Sequence, residues 1–172
     1  MLERSSRPTV KVLEIDAHHA VGIYDNFMVV TWRGETTVAA VERAEKQLVR
    51  LMRAYPDGIA LMQVAEQGAP PPDGASRNAV AKMLHSGSGQ IQSSSLVCPG
   101  TGFAMAAGRA FVTGLSMMMR VGFPHQVFAT LEDAAAWHAQ KWPPGNTRQL
   151  SPSDLVAIAS GLTVALDKHA NN

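Results

Sequence analysis

The chain has 172 residues, of which 46% are hydrophobic and 17% are charged, and its formal net charge is +1. This length and composition are typical of one globular domain with a buried core, and they exclude a disordered or fibrous chain. Charges of both signs are interspersed, so the sequence lacks the basic character of a nucleic-acid-binding domain. We therefore expect no nucleic-acid partner.

The sequence lacks the features that are typical of a secreted or membrane-spanning protein. The single cysteine, Cys98, cannot form an internal disulfide, so nothing points to an oxidising compartment. Residues 1–8 lack the apolar segment of a signal peptide. The apolar stretch Phe103–Met119 is interrupted by Arg109, which leaves it short of a membrane span. We expect a cytoplasmic protein without a transmembrane helix.

The first part of the chain predicts three strands. Thr9–Ile15, Ala20–Tyr24 and Phe27–Trp32 are separated by Asp-containing turns. Phe27–Trp32 is apolar almost throughout, which indicates a strand covered on both faces. The turn between the first two strands contains His18 and His19, and we expect both histidines to be exposed to solvent.

A helix and a second buried strand follow. Thr36–Ala54 repeats at the helical period, with Thr36 or Thr37 as its N-cap, and Pro56 prevents its continuation. Ile59–Val64 is the next apolar strand. A strand, a helix and a strand of these lengths predict a βαβ crossover with parallel strands.

The rest of the chain continues the alternation of helix and strand. Helices are expected at Ala75–His85, at Phe103–Arg120 and at 131–140, and strands at Ile91–Val97 and Gln126–Ala129. Asp73, Thr130 and Ser151 have the positions of N-caps, the last one before a terminal helix with Pro152 at its first position.

The order of elements predicts the α/β class. It is a single-domain mixed β-sheet with helices, β-β-β-α-β-α-β-α-β-α, and an additional C-terminal helix. Residues 1–8 would form a tail, 9–141 the domain and 142–150 a linker. Residues 151–172 would form a helix that packs on the domain.

Three stretches resemble the STAS/SpoIIAA-like α/β domains of bacteria. They are Phe27–Tyr55, Ile59–Val64 and Val127–Trp137, the last of which (VFATLEDAAAW) is similar to the F-x-T-x-E-E-A-x-x-W ending of many such proteins. The resemblance spans roughly residues 9–140. It implies regulatory binding of protein partners, or of a small apolar ligand as in some relatives, rather than catalysis.

The resemblance also implies a phosphorylation site. In anti-sigma-factor antagonists of the STAS type, a serine in an Asp-Ser-Ser-Gly-like turn before the second helix is phosphorylated. The corresponding segment here is Asp73–Arg77 (DGASR), in which Asp73 matches and the serine is displaced by one position to Ser76. The alternative is that Asp73 caps the helix and Ser76 lies on its surface.

A second candidate site lies where the strand Ile91–Val97 ends. A helix N-terminus offers backbone N–H groups to an anion and lowers the pKa of an exposed thiol. This interpretation makes the turn a site for a small anionic or apolar ligand, or for minor enzymatic chemistry. Its residues would be Cys98, Gly100, Thr101, Gly102 and Arg109. The alternative is a buried cysteine beside a glycine turn, because neither the GxGxxG nor the P-loop pattern is complete.

The helix Phe103–Arg120 is apolar around most of its circumference. Its polar residues form one narrow stripe, so a sheet face alone does not cover it. The terminal helix or a second copy of the chain could supply the remaining cover. Met117 and Met118 suit an adaptable interface, and we expect a homo-oligomer, most simply a dimer.

Three successive prolines, Pro70, Pro71 and Pro72, predict an extended and exposed loop that could also bind a partner. The six histidines show no metal-ligand spacing, and no complete catalytic constellation is present. We therefore expect neither a metal nor a cofactor. The sequence favours a non-catalytic regulatory or protein-interaction module, whose protein partner it does not name, over an enzyme.

Overall fold

The computed structural model describes residues 7–100, 109, 121–143 and 148–171. Within them the chain forms six strands and four helices. The strands are β1 (Lys11–Ile15), β2 (His19–Tyr24), β3 (Phe27–Trp32), β4 (Ile59–Ala65), β5 (Ile91–Val97) and β6 (His125–Phe128). The helices are α1 (Val38–Ala54), α2 (Gly74–Ser86), α3 (Leu131–Gln140) and α4 (Pro152–Ala170).

The six strands form one mixed sheet in the order β1-β2-β3-β4-β5-β6. The first three strands are antiparallel to one another, whereas β3, β4, β5 and β6 run parallel. The antiparallel part allows short turns, and the parallel part requires the long crossovers that contain α1 and α2. The predicted α/β class with a mixed sheet is confirmed.

Side-chain caps determine where the helices begin. Thr37, Asp73, Thr130 and Ser151 each accept a hydrogen bond from the backbone N–H three residues later. Each cap satisfies an N–H group that has no partner inside its helix. In α4 the carboxylate of Asp154 also accepts from the N–H of Ser151, which completes a capping box.

Alternate residues of the inner strands fill two separate cores. On one face, Met28 and Val30 of β3 pack with α1 and α2, including Leu48 of α1. On the other face, Phe27 and Val29 pack with α3 and α4. Every residue of β3 is buried, as its apolar sequence predicts for a strand covered on both sides.

The terminal helix α4 covers the antiparallel part of the sheet, since it packs against β1, β2, β3 and α3. Its buried side chains include Leu155, Ile158 and Leu162. The apolar segment Phe103–Arg120, for which α4 was a candidate cover, lies outside the described residues except for Arg109. The methionines proposed there as an interface, at 117 and 118, lie outside them as well.

Both described ends of the segment 142–150 contact the core. The ring centroids of Trp142 and Phe27 are 6.2 Å apart, and Leu150 is 1% exposed. These two contacts fix the approach of the chain to α4. None of the helices in the described part of the chain is long and apolar enough to cross a lipid bilayer.

The packing of Val10 and of α4 against β2 leaves no room for a side chain at Gly22. A Cβ atom there would lie 2.5 Å from Val10 Cγ2 and 3.0 Å from Leu162 Cδ1. We expect Gly22→Ala to lower the free energy of unfolding by about 1–3 kcal/mol, because the side chains of Val10 and of Leu162 in α4 must move to admit the methyl group. Denaturant unfolding measures the effect. Gly89→Ala is the control, since its Cβ would meet nothing within 4 Å, and equal losses in the two variants would contradict this packing.

Candidate functional site

Three consecutive serines occupy the middle of β5, where no solvent reaches. Ser93, Ser94 and Ser95 are all 0% exposed. Because side chains alternate along a strand, Ser93 and Ser95 point to one face of the sheet and Ser94 to the other. A buried hydroxyl without a partner destabilises the fold, so each face must supply a hydrogen-bonding group.

His138 of α3 supplies the hydrogen-bonding group for Ser93 and Ser95 on one face of the sheet. Its Nδ1 lies 2.8 Å from Ser93 Oγ, and its Nε2 lies 2.8 Å from Ser95 Oγ. Burial, with a smaller contribution from the nearby His125, lowers the pKa of His138 to about 3. A neutral imidazole has one N–H donor and one acceptor nitrogen. Consequently one serine accepts a hydrogen bond from His138 and the other donates one, so both ring nitrogens have a partner.

His125 of β6 supplies the hydrogen-bonding group for Ser94 on the opposite face. Its Nδ1 lies 3.0 Å from Ser94 Oγ, and burial lowers the pKa of His125 to about 4. The two histidines thus hold β5 from both sides in their neutral forms. Sequence reasoning missed this cluster, because it tested the histidines only for metal-ligand spacing. The available signal was a run of serines inside an otherwise apolar strand.

A second histidine-containing cluster connects the β1–β2 turn to α1. His19 is 1% exposed, so the expectation of a solvated turn is wrong for this residue. Its ring stacks on Trp32 with centroids 5.5 Å apart. Its Nδ1 lies 3.0 Å from Asp16 Oδ1, and its Nε2 lies 3.3 Å from Glu14 Oε1. Arg43 of α1 forms ion pairs with both carboxylates.

The carboxylate of Asp16 is held by its own turn. Burial raises the pKa of Asp16, but the backbone N–H groups of His18 and His19 outweigh it, so the pKa lies below its ordinary value. Arg43 Nη2 donates to Asp16 Oδ2 at 2.8 Å. These bonds fix α1 against the turn.

At the end of β5, three of the five candidate ligand-binding residues come together. Arg109 Nη1 donates to the carbonyl oxygens of Gly100 at 3.1 Å and of Cys98 at 3.4 Å. Gly100 has a φ of +128°, a conformation that a side chain would strain. The other two candidates, Thr101 and Gly102, lie outside the described residues. The guanidinium of Arg109 therefore bridges two backbone carbonyls of the turn.

The cysteine of this turn is not activated. Cys98 is half-buried, and burial raises the pKa of its thiol even though the cation of Arg109 acts in the opposite direction. A raised pKa keeps the thiol protonated at neutral pH, where the thiolate is the nucleophile. The raised pKa and the partial burial of Cys98 both disfavour thiol chemistry at this position.

Ser76 lies in the interior at the start of α2, which corrects its expected position on the helix surface. It is 2% exposed, and its backbone N–H donates to Asp73 Oδ1 at 2.7 Å. The hydrogen bonds from Ser76 hold the pKa of Asp73 below its ordinary value. A kinase could reach the Ser76 hydroxyl only if this turn of helix opened, so the burial argues against a phosphorylation site.

The proline loop between β4 and α2 is fixed at both ends. Glu66 accepts two hydrogen bonds from Arg33, at 2.7 Å and 3.0 Å, and its backbone N–H donates to the carbonyl of Trp32 at 2.8 Å. At the other end Asp73 caps α2. Between these anchors Pro70 and Pro71 are exposed and Pro72 is half-buried.

An open groove of about 410 Å³ lies between α1 and α2. It is lined by Glu42, Glu45, Lys46, Val49, Arg50, Arg53 and Lys82. Six of these seven residues are charged, so the groove suits a charged macromolecular surface better than an apolar small molecule. No group of three or more His, Cys, Asp or Glu side chains within the described ranges is placed to hold a metal ion.

Comparison of the chain with protein-family models, with curated proteins and with solved structures finds no match. The resemblance to STAS/SpoIIAA-like domains therefore stays a prediction. Any functional argument must start from the side chains themselves.

The buried His138 makes stability depend on pH. The imidazole has its ordinary pKa of 6.5 in the unfolded chain and about 3 in the folded one. Below pH 6.5 only the unfolded chain binds this proton, so the stabilisation is complete above pH 6.5 and is lost as the pH falls. Between about pH 7.5 and pH 5, we expect the wild type to lose about 2 kcal/mol more unfolding free energy than His138→Gln. Parallel pH profiles in the two proteins would show that His138 titrates normally.

The raised pKa of Cys98 predicts slow alkylation. At neutral pH, iodoacetamide should modify Cys98 in the native protein at least about tenfold more slowly than in denaturant. Mass spectrometry follows the rate. Arg109→Gln removes the cation that opposes the effect of burial, and it should not accelerate the reaction unless the turn opens. A native rate equal to or above the unfolded rate would instead restore the thiol site as a hypothesis.

Proposed function

We propose that this protein is a non-catalytic interaction module that presents its proline loop, Glu66–Asp73, to a protein partner. The observation on which the proposal depends is the anchoring of the loop. Its two ends are tied to the sheet and to α2, while Pro70 and Pro71 face solvent. A loop held in this way loses little further conformational entropy on binding.

The chemistry of the prolines specifies the kind of partner. Proline fixes φ and has no N–H, so successive prolines adopt an extended conformation whose backbone cannot pair with a strand. Such segments bind grooves lined with aromatic side chains. A protein with an aromatic groove is therefore the partner that fits this loop.

The remaining reactive side chains support a binding role over a catalytic one. His138 and His125 are neutral and bonded to serines, Arg109 is bonded to carbonyls, and Cys98 is protonated. Groups used in this way maintain the fold and leave the surface to determine function. The free thiol of Cys98 is in keeping with a reducing compartment, and we place the module in the cytoplasm. The resemblance to STAS/SpoIIAA-like domains favours a regulatory role.

Site-specific photocrosslinking in the native cell tests the loop. A benzoylphenylalanine at position 71 should form a discrete adduct with a partner, because this position is exposed between two anchored ends. Pro70→Ala combined with Pro72→Ala should reduce the adduct at least about fivefold, since the extended conformation is no longer fixed.

The same probe at Ser160 of α4 is the matched control, because Ser160 is also exposed but lies on a helix of the opposite face of the sheet. Adduct formation at position 160 that equals that at position 71 would contradict a specific role for the loop. The complete absence of an adduct at position 71 would do so as well.

A further inference from the structure

The charged residues of α1 that line the groove are segregated by sign. Glu42 and Glu45 line the N-terminal part of the α1–α2 groove, whereas Arg50 and Arg53 line its C-terminal part. At 1.5 Å of rise per residue, Glu42 and Arg53 are about 17 Å apart along the helix axis. The groove-lining side of α1 is therefore acidic towards its N-terminus and basic from Lys46 onward.

Within the described residues, none of the six charged side chains of the groove takes part in an ion pair. The Arg50 guanidinium donates only a long hydrogen bond of 3.4 Å to Gln47 Oε1. By contrast, Arg33 and Arg43 both bind carboxylates. The helix face thus has charges of both signs available for an external partner.

The pattern on this face complements itself when one copy is reversed. If two α1 helices lie antiparallel about a two-fold axis between residues 47 and 48, Glu42 of one copy is opposite Arg53 of the other. Glu45 is then opposite Arg50. The half-buried Val49 lies near the axis, opposite the aliphatic stem of Lys46. A parallel arrangement would instead place charges of the same sign together, which is unfavourable.

We propose that a second copy of this chain docks antiparallel along α1 and forms a two-fold symmetric dimer. Such an interface uses the same surface on both copies, so each acid–base pair occurs twice. Exposed ion pairs contribute little affinity individually but determine orientation and encounter rate. With one valine near its centre, the dimer is weak, and its formation depends on salt concentration.

The dimer is independent of the proline loop, because none of the residues that line the groove belongs to that loop. Loss of the dimer would leave the proposed partner binding intact, and the crosslinking experiment above does not depend on the oligomeric state. The proposal also moves the expected homodimer interface from the methionines at 117 and 118 to α1, where exposed side chains are described.

Sedimentation velocity over a concentration series tests the proposal with two charge-reversed variants. Variant A carries Glu42→Arg and Glu45→Arg, and variant B carries Arg50→Glu and Arg53→Glu. Each variant places charges of the same sign opposite one another in a homodimer, so its dissociation constant should rise at least about tenfold. A mixture of A and B restores opposite charges across the interface, and it should form a heterodimer while A and B alone are monomeric.

The control reverses two exposed lysines on the other side of the sheet. Lys141→Glu with Lys168→Glu changes the net charge as much as variant B does and should leave the dissociation constant within about twofold of wild type. If variant A or B fails to fold, Arg50→Gln with Arg53→Gln replaces it. For wild type, dimerisation should weaken between about 0.1 M and 1 M salt, as the Debye length falls from about 10 Å to about 3 Å.

Every outcome decides the question. A wild-type protein that stays monomeric at all concentrations would overturn the proposal, as would a dimer that both variants retain. Monomeric variants that fail to associate when mixed would also refute the antiparallel pairing. Wild-type association that strengthens with added salt would indicate an apolar interface elsewhere. Recovery of the dimer only in the mixture of A and B supports the pairing described above.

Discussion

The structure depends on satisfying three hydroxyl groups inside an inner strand. Ser93, Ser94 and Ser95 are inaccessible to water on both faces of the sheet, so each must bond to another part of the chain. His138 brings α3 to one face, and His125 of β6 bonds on the other. The C-terminal third of the domain is thereby tied to β5 by hydrogen bonds as well as by apolar packing. Burial also keeps both imidazoles neutral at neutral pH.

Charged groups are divided between the inside of the domain and its surface. Near the β1–β2 turn, Arg43 binds Glu14 and Asp16 beside the buried His19. Arg33 likewise binds Glu66 and anchors the proline loop. Charges in these places hold α1 and the loop in position. Within the described residues, the charges of α1 that line the groove form no ion pair, and we therefore propose that face for association.

The two sides of the sheet present different surfaces. The side covered by α3 and α4 is closed by apolar packing around Phe27 and Leu162. The other side contains α1, α2 and the loop that leads into α2, and these elements expose both the prolines and the charged groove. Binding of a partner at the loop and pairing of two copies along α1 would therefore use neighbouring elements of one side. A dimer of this kind would present two proline loops and raise the effective affinity for a partner with two binding sites.

The sequence by itself determined the features that depend on local chemistry. Strands β3 and β5 have the predicted bounds, and Thr37, Asp73, Thr130 and Ser151 cap helices as expected, because periodicity and capping involve residues a few positions apart. Tertiary structure alone decided which side chains meet. His138 is 45 residues from Ser93 and 43 from Ser95, and the burial of His19 and Ser76 follows from packing against distant elements. Such contacts result from the spatial arrangement of strands and helices around the sheet, and no local sequence pattern specifies that arrangement.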